Sequence, residues 1–154
     1  MRMRVEAFTQ RYKSQIPEKY TCDGESISPG IIWDEVPENT KSFAIIMEGM
    51  DTPDRSNPLV LWLVYNIPSD VREIKTNTVP QGAQLGTNDF GEQGYRAPCP
   101  KPGPEHYRYS VQLYALDTIL DLNEGATLKD FLYAAKDHML DQIEVIGTYE
   151  RYKK

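Results

Sequence analysis

Apolar residues gather along this chain in short runs, separated by polar, turn-forming stretches. Phe43-Ala44-Ile45-Ile46-Met47 and Leu59–Val64 are continuous apolar runs, the pattern of strands covered on both faces at the centre of a sandwich. Tyr109-Ser110-Val111-Gln112-Leu113-Tyr114 alternates more visibly, as a half-exposed strand does. The pattern predicts strands over Arg4–Phe8, Gly30–Trp33, Ser42–Met47, Val60–Ile67, Tyr109–Leu116 and Val145–Tyr152. Eleven prolines and ten glycines fall mainly between these runs, which favours strands joined by loops over a helical bundle. One segment has another period. Leu128, Phe131, Leu132, Ala135 and Met139 recur at helical spacing and predict a helix over Leu128–Leu140. Thr127 can cap it, and Asp130 lies near its positive end. His138 falls on the polar side near the helix C-terminus, where a protonated imidazole suits the dipole. Residues 69–93 form a polar, turn-rich excursion of the kind that often carries function.

The 154 residues suffice for one domain, 1–154, with a real core. A net charge of −6 with no basic patch argues against nucleic-acid binding and against attraction to anionic membranes. No stretch approaches the ~20 apolar residues of a spanning helix. The start, MRMRVEAFTQ, lacks the apolar run of a signal peptide, so the chain reads as cytoplasmic. Cys22 and Cys99 lie far apart with no C-x-x-C spacing. Two free thiols in a reducing compartment is the favoured reading, and a bridge between their loops is the alternative.

Candidate chemistry concentrates where a Gly/Pro-rich loop runs straight into a strand, Asn88 to Asp117. Tyr107 and Tyr109 are two apart and share a strand face. His106, after Glu105, reads as a solvated loop histidine, and a strand would turn it away from that face. Cys99 sits between Pro98 and Pro100, with Arg96 and Lys101 as the cations that could lower its pKa. Asp51 and Asp54 lie in a turn-rich stretch and read first as turn formers, with Asp51 on a pocket rim as the functional alternative. Tyr149 reads as packing only, and Arg151 belongs to a solvated basic tail. His106 and His138 are the only imidazoles, and neither sits in a G-x-S-x-G or Cys/His pattern. The chain therefore reads as non-enzymatic, with a hydrolase of phosphoryl or ester substrates, or a purely structural dimeric scaffold, as the alternatives.

Several segments resemble the phosphatidylethanolamine-binding protein family, which includes the Raf kinase inhibitor protein and small bacterial and archaeal relatives. They are Tyr20-Thr21-Cys22-Asp23-Gly24 with Ile27-Ser28-Pro29, Trp33 with Val36-Pro37, Met50-Asp51-Thr52-Pro53-Asp54 leading to Trp62–Pro68, and Gly86 to Asp117. The resemblance implies a mainly β fold, a sandwich of two antiparallel sheets with one or two peripheral helices. It also implies a small anion pocket built from an aspartate, two histidines, a tyrosine and a Gly/Pro loop. Carried over, the pocket residues are Asp51, Pro53, Leu61, Pro98, Cys99, Pro100, Tyr107 and Tyr109. The family's pocket aspartate is Gly49 here, the histidine before the tryptophan is Leu61, and the histidine of the H-R-Y motif is Tyr107. Such a pocket is more apolar and more phenolic, and burying a phosphate dianion in it would be costly. The resemblance further implies an anionic or amphiphilic ligand, or inhibition of a partner kinase or serine protease. It implies a homodimer. No cofactor or metal is expected. The prolines of Thr52–Pro58 and Pro98–Pro104 would pre-order loops for docking.

Overall fold

A computed structural model describes residues 3–8, 15–51 and 58–151. Among these residues, eight strands form two antiparallel sheets. The smaller holds β1 (Arg4–Ala7), β2 (Ile31–Asp34) and β5 (Glu73–Ile74) in the order β1-β2-β5. The larger holds β3 (Ser42–Gly49), β4 (Leu59–Pro68), β6 (Gln84–Leu85), β7 (Tyr107–Leu116) and β8 (Met139–Tyr149) in the order β6-β4-β3-β7-β8.

The two faces of β3 explain its unbroken apolar run. Phe43, Ile45 and Met47 enter the core between the sheets, beside Trp33, Val111 and Leu113. Ala44 and Ile46 point the other way and join Leu63, Tyr65 and Phe131 beneath a helix, α1 (Leu128–Ala135). A central strand covered on both sides cannot alternate in hydropathy. The two-residue strands β5 and β6 fall inside the 69–93 excursion and are too short for a periodic signal.

The helix starts as its sequence predicts. The Thr127 side chain accepts from the Asp130 N–H, and the Asp130 carboxylate accepts from the Thr127 N–H, each at 3.2 Å. It stops earlier than predicted, at Ala135. Met139 is not on its apolar face but opens β8 and pairs with Leu116 of β7. Ladder pairing with a ten-residue partner strand outweighs one more apolar contact at a helix end. His138 therefore lies beyond the helix, with Nδ1 2.8 Å from Asp117 Oδ1.

The α1-side face of the large sheet carries a polar network beyond its apolar part. Gln112 Nε2 donates to Glu48 Oε1 (2.6 Å), Ser110 Oγ donates to Glu144 Oε2 (2.5 Å), and Tyr114 OH donates to Gln112 Oε1 (2.7 Å). Burial pushes the Tyr114 hydroxyl up to about 12 and raises the Glu48 carboxyl, against the lowering effect of Gln112. A carboxyl raised on folding binds more protons in the native than in the unfolded state. Its contribution to stability is therefore lost as pH rises from the unfolded value through the folded one. Glu48→Gln keeps an acceptor for Gln112 and removes that loss. The variant should melt higher than the parent at pH 7, with the gain disappearing below the ordinary glutamate range. Thermal melts across pH 3–8 check this, and a variant less stable at pH 7 would refute it.

Candidate functional site

The C-terminal end of β3 and the starts of β4 and β7 meet at one end of the large sheet, where Gly49 pairs with both Leu59 and Tyr109. The loop after β6 closes over this end. Its Asp89 exchanges hydrogen bonds with Val60, N–H to carbonyl at 2.9 Å and carboxylate from N–H at 2.7 Å. Asn88 braces the turn, its Oδ1 accepting from the Phe90 and Glu92 N–H groups. The space enclosed is a cleft of about 980 Å³, lined by Gly49, Asp51, Leu59, Leu61, Phe90, residues 96–101 and residues 104–109.

Of the expected site residues, Asp51, Leu61, Pro98, Cys99, Pro100, Tyr107 and Tyr109 all line this cleft. Pro53 and most of the Thr52–Pro58 loop lie outside the described residues. Leu61 reaches the cleft through a β-bulge. Met47 pairs with Trp62 and Glu48 with Val60, so Leu61 is the extra residue of β4. Such a bulge re-aims a side chain, and Leu61 and Trp62 consequently pack into the same core cluster. The freed Leu61 carbonyl accepts from the Arg96 N–H at 2.9 Å, tying the loop to the bulge.

Gly49 leaves the wall bare. A Cβ there would touch the Tyr109 ring at 3.4 Å, ordinary contact distance. Tyr109 is buried, and desolvation raises its hydroxyl far above neutrality, with the neighbouring Tyr107 and Asp51 adding to the effect. It remains a neutral phenol at any physiological pH. Tyr95, also raised by burial, donates to the Tyr20 carbonyl at 2.6 Å and packs edge-on against Trp62.

Asp51 stands on the rim, where it accepts from Arg108 through the backbone N–H (2.8 Å), Nε (3.1 Å) and Nη2 (2.8 Å). The Arg108 guanidinium on the rim is therefore already paired with a carboxylate. Arg96 is likewise engaged, 3.2 Å from Glu92 and stacked over Phe90 at 4.3 Å. His106 precedes β7, so strand alternation does not govern it, and it lines the cleft alongside Tyr107. Its Nε2 is 3.9 Å from Glu150, and the side chain is largely exposed.

The largest departure from expectation concerns the cysteines. Cys22 and Cys99 are joined in a disulfide, Cα atoms 5.3 Å apart, and are not free thiols. The turn after the 3-10 segment Glu18–Tyr20 docks against the proline loop, with the Cys22 N–H donating to the Pro98 carbonyl. Nothing in the spacing of the two residues signals that approach. A cation that the sequence reading did not name reaches Cys99: Arg151, whose Nη1 is 3.5 Å from Sγ, while Arg96 is engaged by Glu92 and Phe90. Arg151 is no solvated tail residue. Its Nε binds Asp23 (3.0 Å), which also accepts from the Tyr149 hydroxyl (2.7 Å) and is almost fully buried. Tyr149 thus does more than pack.

A family model described as phosphatidylethanolamine-binding protein matches residues 8–150. A UPF0098 protein of Methanothermobacter thermautotrophicus is 43% identical, with 98% of this chain and 99% of the relative aligned. Another, from Aquifex aeolicus, is 42% identical over 96% of this chain and 89% of its own. Among solved structures, a phosphatidylethanolamine-binding protein homologue from Chlamydia trachomatis superposes with a TM-score of 0.89 at 34% identity, covering 97% and 98% of the two chains. E. coli YbcL, described as a member of the mammalian family, gives 0.87 at 26% identity, covering 97% and 99%.

Proposed function

Since the chain belongs to the phosphatidylethanolamine-binding protein family, we propose that it is a non-enzymatic ligand-binding and regulatory member whose cleft takes an amphiphile. The ligand has an apolar body and a single polar or anionic head, in place of a compact phosphate dianion. One observation carries this reading. Gly49, Leu61 and Tyr107 stand where family resemblance expects the aspartate and histidines, and together with Leu59 and Tyr109 they make an apolar, phenolic wall. A dianion there would find Arg108 already paired with Asp51. An alkyl chain would lie on Leu59, Leu61 and Tyr109, while the head meets the Arg108 and His106 end of the rim. No serine or threonine lines the cleft among the described residues, which favours binding over hydrolysis.

Thermal shift with phosphate, phosphoethanolamine, acetate and octanoate tests this. A ligand that binds only the folded state raises stability by about 2.7 kcal/mol at a hundredfold excess over Kd. Octanoate should give a saturable rise, reduced in Gly49→Asp, whose added carboxylate would stand in the wall. Phosphate and phosphoethanolamine should give none. A saturable rise with phosphoethanolamine at millimolar concentration, and none with octanoate, would sink the proposal.

The regulatory half of the reading rests on the Pro98–Pro104 loop. Pro98 and Pro100 are buried, Lys101 and Pro102 are exposed, and the Gly103 N–H donates to the Arg151 carbonyl at 2.7 Å. A loop anchored at both ends loses little freedom on docking to a kinase or serine protease. The same reading has the protein acting as a homodimer in the cytoplasm, and sedimentation at micromolar concentration reports the first of these. No helix among the described residues is long and apolar enough to cross a membrane.

A further inference from the structure

We propose that the Cys22–Cys99 disulfide is a thiol-exchange site, at which a small anionic thiol becomes covalently attached to Cys99 inside the cleft. This inference does not rest on the amphiphile reading, because it concerns a covalent bond and not the occupancy of the apolar wall.

Three observations converge on it. Cys99 is exposed and forms part of the cleft wall, whereas Cys22 is only partly accessible. The Arg151 guanidinium is held 3.5 Å from Cys99 Sγ, and its own position is set by Asp23. The loop that carries Cys99 has anchors other than the disulfide: the Cys22 N–H to Pro98 carbonyl, the Arg96 N–H to Leu61 carbonyl and the Tyr95 hydroxyl to Tyr20 carbonyl bonds. Opening the bridge therefore need not dismantle the cleft.

In the exchange, an incoming thiolate attacks Cys99 Sγ from the cleft side. A new sulfur–sulfur bond forms to Cys99, the Cys22–Cys99 bond breaks, and Cys22 leaves as a thiolate that takes a proton from water. No net oxidation or reduction occurs, because one disulfide replaces another. Arg151 is a positioning residue: Asp23 engages its Nε, while its Nη1 stays turned to Sγ and presents an N–H donor to an anionic attacker beside the sulfur it must reach. Accessible disulfides are the labile members of their class.

The test uses native protein with millimolar glutathione at neutral pH, quenched by acid and alkylation and mapped by peptide mass spectrometry. The expected product carries glutathione on Cys99 and the alkyl label on Cys22. Arg151→Gln should slow its formation about two- to fivefold, less than the effect of an unpaired unit charge because Asp23 offsets part of it, and Arg151→Lys should restore most of the rate. Cysteamine, a cationic thiol, should show no such dependence on residue 151. Glutathione on Cys22, exchange only after unfolding, or equal rates in the Gln and parent proteins would each overturn the proposal. Circular dichroism of the Gln variant separates lost charge from lost fold: a folded variant at the parent rate refutes the role of Arg151. If that variant fails to fold, the Lys variant and the glutathione-to-cysteamine ratio in the parent protein decide.

Discussion

Replacing both cysteines, Cys22→Ala with Cys99→Ala, should lower the unfolding free energy by about 4 kcal/mol, a loss set by the size of the loop that the bridge closes. The two residues are 77 apart in sequence, so the bond removes a large share of the freedom of the unfolded chain. In a domain of 154 residues this corresponds to a fall in Tm of roughly 8–16 °C. The native state loses less. The turn after Tyr20 and the proline loop keep the bonds from the Tyr95 hydroxyl to the Tyr20 carbonyl and from the Cys22 N–H to the Pro98 carbonyl, and Asp23 keeps Tyr149 and Arg151. The double variant should accordingly fold to the same structure and still respond to octanoate. Urea unfolding of the parent with and without reductant, beside the double variant, measures the effect directly. A difference under about 1 kcal/mol would mean that the bridge closes no freedom that other contacts have not already removed.

Phe131→Ala should cost about 3–5 kcal/mol while leaving the cleft untouched. Phe131 is fully buried and lies 5.8 Å from the Tyr114 ring and 6.4 Å from that of Tyr65. It is the side chain that plants α1 on the outer face of the large sheet. The helix has only eight residues, below the ~12–15 at which even favourable isolated helices become marginally stable, so packing must hold it. Tyr65 shares the load, donating its hydroxyl to the Asn123 carbonyl and accepting from the Ala126 N–H. No residue of this second cluster lines the cleft. A lower urea midpoint with an unchanged octanoate response is the expected pair of results. Leu132→Ala, one position on but 39% exposed, should move the midpoint little. Equal losses in the two variants would show that position on the helix face does not decide the energetics.

The residues to which family resemblance points share one cleft, and most come from motifs of short range, Pro98–Pro100 and Tyr107 with Tyr109, while Asp51 meets Arg108 only across 57 residues of sequence. Phe90, Arg96 and His106 escaped the site prediction for separate reasons. Phe90 and Arg96 belong to a loop whose path depends on Asp89 and the Leu61 carbonyl, neither of which has a periodic signature. His106 is the solvated loop residue its sequence suggests, one position before β7, and only the path of that loop brings it to the cleft. The bulge at Leu61 had no signal at all, since one extra residue in a continuous apolar run leaves the hydropathy pattern unchanged.

The sequence by itself determined what depends on neighbours along the chain. The runs of β3 and β4 and the Thr127–Asp130 capping box are local, and each recurs in the structure at its predicted start or within a few residues of it. The half-exposed alternation expected of β7 does not recur: Ser110 and Tyr114 are buried on its second face, inside the polar network with Gln112, Glu48 and Glu144. Only the tertiary structure decided what depends on which segments meet. Pairing with β7 ended α1 at Ala135 and drew Met139 into β8. Docking of the first turn on the proline loop joined Cys22 to Cys99 and set Arg151 beside the bridge. Hydropathy and propensity report the preference of a segment for water or for a dihedral region. They carry no information on the partner that will satisfy its backbone groups or its charge, and that partner is fixed only when distant segments pack together.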